Sequence, residues 1–154
     1  MNEIKIIATR YGDPVARELV AALMADLGER YGNEGDGTPV RPTEFDPPDG
    51  AFMVAYLDGR PVGCGGWRAH GDTDDAEIKR MYTAPEARGR GVARAILAGL
   101  EESARQRGRR RMILETGYGQ PEAIALYEAC GYERIPHFGY YKDEPGVVSF
   151  GQDL

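Results

Sequence analysis

The chain has 154 residues, enough for one domain that buries about 70% of the surface its unfolded form would expose, so a core needs no disulfide or metal staple. Its 19 basic and 25 acidic residues leave a formal charge of -6, which excludes broad adsorption to nucleic acid or to an anionic membrane as the basis of function. Cys64 and Cys130 form no CxxC pair and are expected as reduced thiols. The amino terminus lacks a signal-peptide pattern, and no run approaches the roughly 18 apolar residues of a membrane span, so the expected location is the cytoplasm.

Residues 2–11, NEIKIIATRY, alternate loosely and are rich in isoleucine, which predicts a first strand. Asp13 followed by Pro14 reads as a helix start, because the carboxylate can cap the first amides and the ring presets φ. Val15, Leu19, Leu23 and Leu27 recur every fourth residue, predicting an amphipathic helix that stops at Gly28. Residues 32–50 are dense in Gly, Pro and Asp and predict a long surface loop, a length usual in functional or mobile segments. AFMVAYL, DG and RPVGCGGWRA read as strand, tight turn and strand. After HGDTDD, the run AEIKRMYT predicts another strand.

Downstream, Val92, Ile96, Leu97, Leu100 and Ala104 share one face of a helix that ends by Gly108. RRRMILET is a short strand, QPEAIALYEACG a helix opened by Pro and closed by Gly, YERIPHFGYY a strand, and VVSFGQDL a further one. This order predicts an α/β (mixed α+β) fold with a central, mostly antiparallel twisted sheet flanked by helices. No repeat, low-complexity tract or linker divides it, so residues 1–154 are expected to be a single domain.

EARGRGVARAIL, residues 86–97, sets two glycines among arginines at the mouth of the second helix. A helix entered this way leaves amides unpaired at the positive end of its dipole, where they suit a phosphate or pyrophosphate. No Walker string is present, and a dinucleotide fingerprint would need Gly or Ala where Arg94 stands. The remaining pattern is Arg/Gln-x-x-Gly-x-Gly/Ala, met by Arg88, Gly91 and Ala93.

On these residues, with the preceding AEIKRMYTAP and the downstream AIALYEACGYE, the chain resembles the Gcn5-related (GNAT) N-acetyltransferases from about Asp75 to Tyr141. The resemblance implies the GNAT fold and acetyl-coenzyme A as co-substrate. By it, the amides of Arg90, Gly91, Val92 and Ala93, with Gly89, cradle the pyrophosphate. Arg88 opens the motif, and its side chain could equally brace the loop. The pantetheine arm runs along Met81, Tyr82 and Thr83 as an added strand. Glu77 occupies the position of a catalytic glutamate in some members; its plain alternative is a carboxylate paired with Lys79, Arg80 or another cation. Tyr127 matches the tyrosine that protonates the thiolate. Gln120 stands where the family commonly has Asn, which puts its contact with the pantetheine arm in question.

Transfer to an amine also needs both substrates held together and a donor near Met81 for the developing oxyanion. The acceptor implied is a primary amine, with a small molecule expected to carry it. The alternatives are a coenzyme A-binding module without transfer, or an acetyltransferase acting on a protein lysine or amino terminus. Family members often dimerise, so a homodimer is a further expectation, with no nucleic acid or membrane partner.

RQRGRRR, residues 105–111, reads as helix-end cations complementing the dipole. His70 and His137 with two distant cysteines give no zinc spacing, so no metal is expected. Neither Ser103 nor Ser149 lies in a G-x-S-x-G elbow. Two irregular segments are expected to set the acceptor. One is the loop bearing Glu34, Asp36, Glu44, Asp46 and Asp49, an acidic rim for a cationic amine or ordinary loop solvation. The other is the run with His137, Phe138, Tyr140 and Tyr141.

Overall fold

The computed structural model describes residues 3–154. Strand β1 (Ile4–Ala8) precedes α1 (Pro14–Tyr31), β2 (Gly50–Leu57), β3 (Arg60–Ala69), β4 (Asp75–Thr83) and α2 (Val92–Gln106). After these come β5 (Arg111–Gly117), α3 (Pro121–Ala129), β6 (Glu133–Arg134) and β7 (Val147–Asp153). The seven strands form one sheet in the order β1-β2-β3-β4-β5-β7-β6. Every described pairing is antiparallel except β4 with β5. The mixed, mostly antiparallel sheet predicted from the sequence is therefore the fold observed; Asn2, expected in the first strand, lies outside the described residues.

Two cores lie on opposite faces of the sheet. Along β2, Ala55 and Leu57 join Ile96, Leu97 and Leu100 of α2, whereas Phe52 and Val54 join Ala16 and Leu19 of α1. Such a strand is apolar at nearly every position because both of its faces are covered. Truncating one fully buried α2 side chain, as in Leu100→Ala, would cost roughly 2–5 kcal/mol through lost transfer energy and the cavity left behind. The β2–β3 turn places Asp58 and Gly59 at φ 52° and 83°, the paired positive values of a tight hairpin turn.

Asp13 caps α1 as expected, its Oδ1 accepting from the Val15 amide at 3.0 Å. The helix does not stop at Gly28. It ends at Gly32, which takes φ 70°, while a Cβ at Gly28 would stand 2.5 Å from the Asn33 carbonyl oxygen of the returning chain. The following segment is not simply a surface loop: Pro42–Phe45 forms a 3-10 turn, and Phe45 and Thr38 are buried. Phe45 stacks on Tyr11 and packs edge-on to Phe52. The strand expected over 132–141 shrinks to Glu133–Arg134, since Ile135 still donates to Ser149 but Pro136 has no amide to continue the ladder.

Candidate active site

β4 and β5 pair only at Asp75–Glu77 with Arg111–Ile113. Gly66 pairs with Lys79 and Cys64 with Tyr82, so one β3 residue opposes two on β4, Arg80 and Met81. Such a bulge bends its strand. Arg80 carries it at φ 61°, a left-handed conformation held for an arginine by bonds from its side chain to Tyr11, Asp36 and Thr38. Beyond Glu77, β4 therefore parts from β5, and its edge on that side has no strand partner among the described residues.

The wedge between them is a cavity of about 340 Å³, walled by Ile78–Met81 on one strand and Leu114–Gly117 on the other. A second cavity of about 320 Å³ continues past Met81, Tyr82 and Thr83 to Arg88, Gly89, Gly91, Val92 and Ala93. Gln120, Ala123 and Tyr127 of the α3 segment border both. Nine of the ten cofactor residues expected from the sequence thus line one continuous cleft, Gln120 among them. Arg90 is exposed and outside its wall.

At the turn, Gly89 and Gly91 take φ 79° and 83°, and a Cβ at either would meet nothing within 4 Å. Among the described residues no side chain caps α2, in contrast to α1, so its first amides face the cleft unclaimed by a cap. The Arg88 guanidinium donates to the Thr83 carbonyl at 3.1 Å, which braces the turn against the end of β4. Gln120 does not cap α3; its Nε2 donates to Tyr31 at 3.3 Å.

Tyr127 is 4% exposed, its ring set against Tyr132 and Phe150. Its hydroxyl makes no hydrogen bond to another described residue, and the side chain stands where the two cavities join. Burial, with a smaller contribution from Cys130, pushes its phenol well above the ordinary value, so it stays protonated at neutral pH.

Glu77 is placed differently. It stands opposite Arg68 in the β3–β4 ladder, and its Oε1 accepts from Arg68 Nε at 3.0 Å. Arg68 also donates to the Pro39 carbonyl at 2.9 Å and pairs with Glu44 at 3.3 Å. Glu77 lines neither cavity. The structure brings Tyr127 together with the residues expected to hold the coenzyme and leaves Glu77 outside that cleft.

Three of the five acids of the loop are paired within the protein. Asp36 pairs with Lys79 at 3.4 Å and with Arg80, Glu44 is held by Arg68, and Asp49 by Arg109 at 3.3 Å. Burial works against ionisation of Asp36, but Lys79, hydrogen bonds from Thr38 and Tyr141, and Arg80 together hold its carboxyl well below the ordinary range. Of the four aromatic residues expected near the acceptor, Tyr141 alone lines the cleft. His137 bonds Ser149 at 2.6 Å, Phe138 packs on His70, and Tyr140 is 58% exposed.

Sequence reasoning missed Glu115, which β5 places in the cavity wall with its two oxygens accepting the amides of Gly139 at 3.0 Å and Tyr141 at 2.9 Å. Its signal was faint: one acidic residue near the end of a strand read as RRRMILET. Lys79 and Arg80 were named only as partners for Glu77.

Residues 15–132 match the acetyltransferase (GNAT) family. An IAA acetyltransferase of Azospirillum brasilense is 39% identical over 98 residues, a stretch covering 64% of each chain. The uncharacterized N-acetyltransferase YjgM of Escherichia coli is 33% identical over 141 residues, 80% of this chain and 84% of that one. Among solved structures, a Klebsiella pneumoniae protein described as a candidate acyl-CoA N-acyltransferase superposes with a TM-score of 0.82 at 31% identity, over 98% of this chain and 97% of its own.

Proposed function

The chain belongs to the GNAT acetyltransferase family, an acyltransferase family, and from that premise we propose that it moves the acetyl group of acetyl-coenzyme A to a primary amine of a small molecule, with both substrates bound at once. The residues present fit the coenzyme. Two open glycines and an uncapped helix start offer amides to a diphosphate, and the unpaired edge of β4 offers main chain to an extended amide-bearing arm. The co-substrate supplies the activated acyl thioester.

In this reading the amides from Gly89 to Ala93 hold the diphosphate, and the main chain of Met81–Thr83 holds the arm. Holding both reactants in one cleft removes much of the entropic barrier. Tyr127 delivers a proton to the departing sulfur. Its hydroxyl has no hydrogen-bond partner among the described residues and is kept protonated by burial, and this single observation carries the proposal.

Proton removal from the amine falls to Glu115, whose carboxylate is in the cavity wall. Glu77 lines neither cavity and is paired with Arg68, so its part is to fix Arg68 against the loop at Pro39 and Glu44. Thiol release over a panel of amines, beside calorimetric titration with coenzyme A, tests the proposal. Binding without thiol release from any amine would overturn transfer.

A further inference from the structure

Lys79 and Arg80 are adjacent, and both are buried, at 7% and 6% exposure. They line the wedge-shaped cavity together with Asp36, the one carboxylate among the described residues that pairs with them. Two buried cations against one anion leave a charge uncompensated, an arrangement that is costly unless something else supplies the counter-charge.

The donor inventory agrees. A guanidinium has five N–H groups, and Arg80 uses three: one to Tyr11, one to Asp36 and one to the Thr38 carbonyl. The Lys79 ammonium has three; it donates to Thr38 Oγ1 at 2.9 Å and is paired with Asp36. Asp36 cannot absorb the surplus, since its Oδ1 already accepts from the Thr38 amide, the Thr38 hydroxyl and the Tyr141 hydroxyl.

Two further carboxylates border the cavity, but neither pairs with these cations. Glu115 is engaged by backbone amides, and Glu144 is exposed at the mouth. A second observation comes from the facing strand. The Thr116 hydroxyl, fully buried, has no hydrogen-bond partner among the described residues, and Thr116 is in the same wall. A buried hydroxyl left unpaired is unfavourable unless a guest completes it.

We infer that the acceptor is an amine that carries its own carboxylate, of the amino-acid class, with Lys79 and Arg80 receiving the carboxylate and Glu115 facing the amine. This rests on the transfer reading above and narrows its substrate. Cations on the β4 wall and a carboxylate on the β5 wall match the two ends of a zwitterion. Leu23, Leu27, Ile78 and Leu114 leave the space around it apolar enough for a hydrocarbon side chain.

The test compares the common amino acids with their carboxamides in the thiol-release assay, and the matching des-amino carboxylic acids with their amides by calorimetry in the presence of coenzyme A. The free carboxylate should raise kcat/KM by roughly tenfold to hundredfold over the amide, as a charge-assisted contact does, and the des-amino acid should bind where its amide does not. In Lys79→Gln, which keeps the Asp36–Arg80 pair, that preference should collapse towards unity through KM, and Lys79→Arg should restore part of it. Carboxamides turned over as well as the acids, with no binding of the des-amino acids, would overturn the inference and leave transfer standing. Carboxylate binding without any thiol release would uphold the anion site and overturn transfer. No binding of any carboxylate and no thiol release from any amine, carboxylated or not, would overturn both.

Discussion

Asp36 and Arg80, 44 residues apart, form an ion pair that ties the segment after α1 to the bulge of β4. The contact fixes the floor of the cavity, because the same Asp36 also holds Lys79 and accepts from Tyr141 on the opposite wall. Removing its charge strands two buried cations. Asp36→Asn is expected to cost roughly 3–5 kcal/mol in chemical denaturation at neutral pH, the usual result of breaking a buried pair on one side. The acid response follows from the depressed carboxyl. A folded-state value below the unfolded one of about 3.9 gives stability that is complete above that pH and lost as the pH falls through the folded value. The gap between wild type and Asp36→Asn should therefore be widest near neutrality and narrow only in strong acid; a gap unchanged with pH would show that the charge contributes nothing.

Gly91→Val tests the coenzyme turn. The residue takes φ 83°, so a β-branched side chain costs roughly 1–2 kcal/mol of backbone strain, yet no neighbouring atom lies within 4 Å to clash with it. The fold should survive while the new side chain fills the space before the α2 amides. Coenzyme A affinity measured by calorimetry should fall at least tenfold, with the melting temperature lowered by only a few degrees. Unchanged affinity would remove the turn from the binding site.

Tyr127→Phe removes a hydroxyl that bonds no described residue, so the folded state loses no internal hydrogen bond. Stability should stay within about 0.5 kcal/mol, and coenzyme A affinity should hold. Turnover should drop by roughly 10²-fold or more, as loss of a general acid does. Because burial raises the phenol, the wild-type rate should not decline through its ionisation below about pH 10. Equal turnover in the variant would end the acid role.

The parts of this site that the sequence disclosed are those whose chemistry is local. Arg88, Gly91 and Ala93 lie within six positions and open a helix; Ala123 and Tyr127 lie one turn apart; Asp58-Gly59 is a two-residue turn. The parts it concealed depend on pairing across the chain. Arg68 opposes Glu77 only because of the β3–β4 register, and nothing near Glu77 in sequence announces that partner. The Asp36–Lys79–Arg80 cluster joins a polar loop to a strand, and from the loop alone its acids look like solvated charges. The missed end of β6 has the same origin: the amides of Gly139 and Tyr141, free to extend a strand in the sequence, are taken by the Glu115 carboxylate instead.

Glu77→Gln and Glu115→Gln separate the two carboxylates by their effect on rate against pH. A general base takes the proton from an amine that is mostly protonated near neutrality, so its loss should depress kcat most at lower pH and steepen the acid limb. Glu115→Gln should show that pattern with kcat down by roughly 10²-fold, although its amide can still accept from Gly139 and Tyr141 and so keep that segment in place. Glu77→Gln should leave the shape of the profile intact and instead lower stability by roughly 1–3 kcal/mol, because Arg68, only 13% exposed, loses one of two charged partners and keeps Glu44. An altered profile in Glu77→Gln with an unaltered one in Glu115→Gln would return the base role to β4 and require that the Arg68 pair open when substrate binds.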